Sequence, residues 1–202
     1  MSRYSVPAAE TRIELAVSNS RFIATLAPVN SVEEAKGFVQ RVRAEFSDAT
    51  HNVPAWLVGH GAAVTAHCND DGEPSGTAGR PMLAVLQGSG LGDVAVVVTR
   101  WFGGTKLGTG GLVRAYGDAV RAVLAATPRS EKVAYVTLTL MVPYTHLERV
   151  RRLVAAHGGE VEGEEFSAEI TLTARFVEDQ VDGFSAELYP TVRTLARTAG
   201  IA

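Results

Sequence analysis

The sequence predicts an α+β protein of two domains, residues 1–130 and 131–202. Three observations support this. Strand and helix patterns alternate through the first 130 residues, and a β-α-β-β-α-β order fills the rest. A turn-forming stretch, Thr127-Pro128-Arg129-Ser130, separates the two. The charge balance also changes there: 12 basic and 11 acidic residues before Glu131, 7 and 11 from it onward.

In the first half, Arg12 to Val17 and Arg21 to Val29 read as two strands joined by a Ser-Asn-Ser turn. Ser31 with Glu34 three residues on is a capping box that opens a helix. Ala35, Phe38, Val39, Val42 and Phe46 form that helix's apolar stripe. Val53 to Val58 and Ala62 to Ala66 are short strand candidates around Gly59-His60-Gly61. Arg80 to Gln87 can be helical, since Pro81 is tolerated in a first turn. The run Asp93 to Arg100 is rich in β-branched residues, as expected of a strand buried on both faces. A helix follows, with Leu112, Val113, Tyr116, Val120, Val123 and Leu124 on its apolar face.

The second half begins with a strand over Lys132 to Val142. Thr145 and Glu148 form a second capping box, and Leu147, Val150, Leu153 and Val154 are the stripe behind it. Gly158-Gly159 ends that helix. Glu160 to Phe166 and Ala168 to Phe176 make a hairpin, Ala168, Ile170, Leu172, Ala174 and Phe176 facing inward. A short helix carries Val181, Phe184 and Leu188, and Thr191 to Thr198 returns as a closing strand. That order predicts a ferredoxin-like βαββαβ sandwich.

Composition narrows the function classes. With 46% hydrophobic and 20% charged residues, the chain is neither disordered, collagenous nor a coiled coil. Cys68 is the only cysteine, so no intrachain disulfide supports the fold, and a reducing compartment is expected. Met1 to Glu10 lacks the apolar core of a signal peptide, and no uncharged run suits a membrane span. These features together predict a soluble cytoplasmic protein.

Two segments are hard to explain as scaffold. One is acidic, Asp70-Asp71-Gly72-Glu73-Pro74-Ser75-Gly76-Thr77-Ala78-Gly79-Arg80-Pro81. The other is basic, Arg100-Trp101-Phe102-Gly103-Gly104-Thr105-Lys106-Leu107-Gly108-Thr109-Gly110-Gly111-Leu112-Val113-Arg114-Ala115-Tyr116. Together they hold 8 of the 20 glycines. Such density points to positive φ angles or close backbone approach. The basic segment runs from a buried strand into a helix, where exposed amides favour anions. Lys106 and Arg114 can add charge there. Phosphate or nucleic-acid backbone is the natural ligand class, tight-turn chemistry the plainer alternative. Neither a P-loop nor a dinucleotide fingerprint is present. Trp101 and Phe102 can stack on bases or anchor the loop. Asp70, Asp71 and Glu73 can hold Mg²⁺ through water, form a solvated turn, or pair with Arg80 or Arg100. The histidines give no zinc spacing, and Cys68 reads as a small buried hydrophobe. We expect the two segments to meet in space.

At these segments the chain resembles the IMPACT/YigZ family. Asp70 to Leu83 and Val96 to Val120 carry the resemblance, with Ser20 to Ala24, Ala49 to Asn52 and Ala55 upstream. Trp101 stands where Tyr is usual, and Val53 near a position commonly small or Cys. The resemblance implies a first domain that is a β-α sandwich like a small-subunit ribosomal protein and domain IV of elongation factor G. It implies a second, ferredoxin-like domain similar to domain V of that factor. Eukaryotic relatives act in translational control, binding a partner of a stress-responsive kinase.

The reading that joins these observations is an RNA- or ribosome-associated regulator of translation. It places Arg100, Trp101, Phe102, Gly103, Gly104, Lys106, Gly108, Gly110, Gly111 and Arg114 on phosphate or RNA. Asp70, Asp71, Glu73, Ser75, Thr77 and Arg80 form an acidic glycine loop, with His51 a further candidate. No cofactor is expected. Two alternatives remain. One is a Mg-dependent enzyme acting on a phosphorylated small molecule or nucleotide, its metal held by Asp70, Asp71 and Glu73. The other is a protein-interaction adaptor that uses the nine acidic residues between Glu160 and Glu187.

Overall fold

A computed structural model describes residues 3–60 and 64–201. The chain divides into two compact units, Tyr4–Glu131 and Lys132 onward, Arg3 counting with the second.

The first unit is organised by the strand that the sequence marks as doubly buried. β1 (Arg3–Pro7) and β2 (Thr11–Val17) precede β3 (Ser20–Pro28), helix α1 (Val32–Glu45), β4 (His51–Val58) and β5 (Thr65–Cys68). Helix α2 (Gly79–Gly88), β6 (Val94–Trp101) and helix α3 (Gly108–Ala126) complete the unit. The sheet order is β2-β3-β6-β4-β5, and every neighbouring pair is antiparallel. β6 is therefore central. Its Val94, Val96 and Val98 face a core shared with α2 and α3, while Ala95 and Val97 face α1. The result is three layers, with α1 on one face of the sheet and α2 and α3 on the other. β1 lies beside Leu91, and the Gly92 N–H donates to the Ser5 carbonyl at 2.9 Å.

Local chemistry accounts for most element boundaries. The β2–β3 turn has Ser18 and Asn19 at φ +46° and +66°, the pair of left-handed residues that a tight two-residue hairpin needs. Ser20 already belongs to the strand. Ser31 caps α1 by accepting the Glu34 N–H at 3.1 Å. The Glu34 carboxylate reaches the Asn30 amide rather than Ser31, so half of the expected box forms. The strand candidate Ala62–Ala66 falls partly outside the described residues, and β5 occupies Thr65–Cys68. α3 begins earlier than its apolar stripe suggests, so the last glycines of the basic segment lie inside its first turn. Val113 was expected in that stripe but is 40% exposed, lining a groove between α2 and α3.

The second unit continues β7 (Arg129–Val142) into helix α4 (Leu147–Ala156), β8 (Glu160–Phe166), β9 (Ile170–Val177), helix α5 (Val181–Glu187) and β10 (Arg193–Ile201). β10, β7, β9 and β8 lie in that order with antiparallel pairing, the ferredoxin-like arrangement. Period-two alternation sends Leu138, Leu140, Leu172 and Phe176 into one core with Val150, Val154 and Phe184. The second capping box does not form. Thr145 turns to the His146 ring at 3.0 Å, a 3-10 turn over Tyr144–His146 leads into α4, and Glu148 pairs with Arg151 instead. Gly158 and Gly159 end α4, their N–H groups donating to the carbonyls of Ala155 and Val154. Ala168 is exposed, because the hairpin turn spans it and β9 starts at Ile170. The glutamates of β8 lie at a sheet edge, where charge discourages edge-to-edge pairing. Several are already matched: Glu160 and Glu162 by Arg175, and Glu164 by Arg151.

No helix among the described residues is long and apolar enough to cross a membrane. Leu26, fully buried in the α2/α3-facing core, tests the first unit. Leu26→Ala is expected to lower stability by about 2–5 kcal/mol in urea unfolding.

Candidate functional site

The two glycine-rich segments meet at one buried ion pair. Glu73, in the loop between β5 and α2, is 8% exposed, and Arg100, near the end of β6, is 5% exposed. Arg100 Nη1 donates to Glu73 Oε1 at 2.6 Å, and the hydroxyl of Tyr116 on α3 donates to the same oxygen at 2.7 Å. Burial and the neighbouring carboxylate push the Tyr116 phenol far up, so it remains a donor. Ser20 Oγ lies 3.4 Å from Arg100 Nη2. The guanidinium also lies over Phe22 and Phe102, at 5.5 and 5.7 Å from the ring centroids. Its Nε–H is buried and has no acceptor among the described residues.

The three carboxylates of the acidic loop do separate work. Asp70 accepts N–H groups from Gly76 (2.7 Å), Ala78 (3.1 Å) and Gly79 (2.8 Å), and so closes the start of α2. Burial opposes its charge, but those three amides and Arg80 outweigh it and hold the carboxyl below the ordinary Asp value. Asp71 pairs with Arg43 of α1 and accepts the Asn52 N–H, both at 2.6 Å. Glu73 serves Arg100 and Tyr116. Among the described residues, no three His, Cys, Asp or Glu side chains gather as a cation site. His51 lies between two of these groups. Its Nδ1 is 2.7 Å from the Asp71 carbonyl and must carry the proton, while Nε2 faces Glu73 Oε1 at 3.8 Å. Thr77 is buried, its hydroxyl donating to the Pro74 carbonyl at 2.6 Å, whereas Ser75 and Arg80 are exposed.

On the basic segment the side chains divide. Arg100, expected at phosphate, is turned inward to Glu73. Trp101 anchors the loop: its Nε1–H donates to Asp48 at 2.9 Å, its ring meets Phe46 edge-on, and Arg21 lies over it. Phe102 is 48% exposed. Gly103 has no room for a side chain, since a Cβ would come within 2.0 Å of the Asn19 carbonyl oxygen. Gly104 follows it into the turn. Gly108 opens α3 at φ +69°, and Gly110 and Gly111 lie in the first turn. That turn has no acidic residue and no side-chain cap. Lys106 and Arg114 are exposed.

Glu73, Arg100, Phe102, Lys106 and the first residues of α3 line a cleft of about 360 Å³. A wider hollow, about 690 Å³, lies between α2 and α3 among Val85, Val113 and Leu124. Sequence reasoning read Tyr116 only as part of an apolar stripe. Its hydroxyl was the available signal, because a buried Tyr needs a partner where Phe would not. Arg43 gave no local signal, since its partner lies 28 residues away.

Residues 18–124, which span both glycine segments, match the Impact N-terminal domain. The chain belongs to the IMPACT family. Residues 140–189 match a domain of unknown function, DUF1949. This IMPACT-family chain is 40% identical to the IMPACT family member YigZ of Escherichia coli, over 93% of each chain. It is 38% identical to an IMPACT family member of Haemophilus influenzae, over 93% of this chain and 92% of that one. A crystal structure of a hypothetical protein superposes with a TM-score of 0.69 at 38% identity, covering 97% of this chain and 98% of the other.

Two outcomes follow from the site. Glu73→Gln leaves Arg100 buried without its counter-charge and is expected to cost about 3–5 kcal/mol in urea unfolding. The depressed Asp70 carboxyl gives a pH signature. The unfolded chain takes up the proton more readily, near pH 3.9 by about the ordinary value. Its stabilisation is therefore complete above that value and is lost as pH falls through the lower folded-state value. Asp70→Asn is expected to flatten the acid limb of the stability–pH curve, measured by thermal unfolding.

Proposed function

We propose that this IMPACT-family chain is an RNA- or ribosome-associated regulator of translation that binds phosphate backbone at the start of α3. The observation that carries the reading is the free first turn of that helix. A helix N-terminus is equivalent to roughly half a positive charge. Here a 19-residue helix begins with glycines, without a capping side chain or an acid, next to the exposed Lys106. The start of α2, by contrast, is closed by Asp70. Anions are thus attracted to one helix end and repelled from the other. Translational control is the role that the family resemblance implies, and it agrees with a phosphate-binding surface on a chain whose net charge is only −3. Local rather than global charge then does the recruiting.

The reading revises the contributions of individual residues. Lys106 and Arg114 are the cations available to phosphate, and Trp101 supports the loop. Toward phosphate, Arg100 serves only indirectly, by fixing the end of β6 against Glu73.

Co-sedimentation with ribosomal subunits and with bulk RNA, at two salt concentrations, tests the proposal. Binding is expected to weaken with salt, by a slope of about −0.7 per phosphate contact on single strands. A Lys106→Ala/Arg114→Ala variant is expected to bind more weakly with a shallower slope. Affinity that stays flat across salt would sink the proposal.

A further inference from the structure

The cleft at the start of α3 offers more than a bare phosphate would use. Its apolar lining comes from Pro74, Phe102, Leu107 and Leu112, while Lys106 and the first residues of α3 supply positive character. Arg100 lines the same cleft, and its buried Nε–H lacks an acceptor among the described residues. A donor withheld from both water and protein is costly, and a ligand acceptor would relieve it. An acceptor that reaches that N–H must enter where it is now shielded from water, close to the Phe102 ring beside the guanidinium. At about 360 Å³ the cleft falls in the range of about 300–1,000 Å³ usual for small-ligand pockets. The matching ligand has a flat apolar face, an edge acceptor and an anionic end. A duplex keeps its bases stacked and presents phosphates on a convex surface, so it cannot fill such a cleft.

We infer that the cleft takes one unstacked nucleotide of single-stranded RNA. The base lies against Phe102 with an edge acceptor on Arg100 Nε–H, and its phosphate lies at the first turn of α3 beside Lys106. The inference rests on the phosphate-binding reading and adds to it a preference for unpaired strands.

Fluorescence anisotropy tests this with a labelled ten-nucleotide RNA of mixed sequence and the duplex of the same sequence. The single strand is expected to bind at least about tenfold more tightly, since aromatic stacking contributes strongly per base. Phe102→Ala is expected to lose about tenfold on the single strand only, while Phe102→Trp retains binding. Phe102→Leu keeps apolar bulk without a π face and gives the same readout should the Ala variant unfold. Lys106→Ala is expected to weaken both RNAs. Equal affinity for the two RNAs, or a single-strand affinity indifferent to Phe102→Ala and Phe102→Leu, would overturn the nucleotide cleft. Salt-sensitive RNA binding that persists in either case leaves the phosphate reading standing. No binding to either RNA at low salt removes both.

Discussion

The Glu73–Arg100 ion pair is the interaction on which the glycine-rich end of the first unit depends. It joins the acidic loop to the end of the central strand, and through Tyr116 it reaches α3. Burying two charges is expensive, and mutual attraction offsets the expense only when geometry is good and remaining valences are met. Here the carboxylate oxygen takes two donors and the guanidinium is flanked by Phe22 and Phe102, but its Nε–H is left without an acceptor among the described residues. The pair also redistributes charge. It neutralises one cation of the basic segment inside the protein, leaving Lys106 and Arg114 as that segment's outward charge.

Two helix starts in the same unit are treated in opposite ways. At α2 no local residue caps the helix, yet the Ala78 and Gly79 amides are satisfied by Asp70, which lies nine residues before Gly79. At α3 a longer helix begins with glycines and no cap. Backbone amides left without partners at a helix end are normally satisfied by side chains, water or a ligand. The difference separates the two glycine loops by task. One folds back on itself and stabilises its own helix, and the other leaves a helix end open beside an exposed Lys. His51, Asp71 and Arg43 extend the first loop toward α1, so the acidic side is cross-braced to both faces of the sheet.

The second unit shows how regular a pattern can be and still mislead at its ends. Alternation along β7 and β9 places the core residues reliably, because one face of a sheet must be buried. The capping box at Thr145 fails for a local reason. The Thr hydroxyl finds the His146 ring, and a 3-10 turn occupies the helix entry. The acidic residues of β8 read as a face awaiting a partner, but several are matched by arginines on β9 and α4.

What the sequence determined by itself is the set of elements whose signals are local or periodic. The doubly buried β6, the stripes of α1 and α3, the Ser-Asn hairpin turn and the βαββαβ order all follow from residues a few positions apart. The glycine density also marked the two segments that the Glu73–Arg100 pair joins. Only the tertiary structure decided what those residues do. Asp70, Asp71 and Glu73 look alike as a carboxylate cluster, and they part company because α2, α1 and β6 each present a different donor. Arg100 and Lys106 look alike as cations, and they differ because strand pairing turns one inward and leaves the other in solvent. A charged side chain's role depends on partners tens of residues away, and no local spacing encodes that choice.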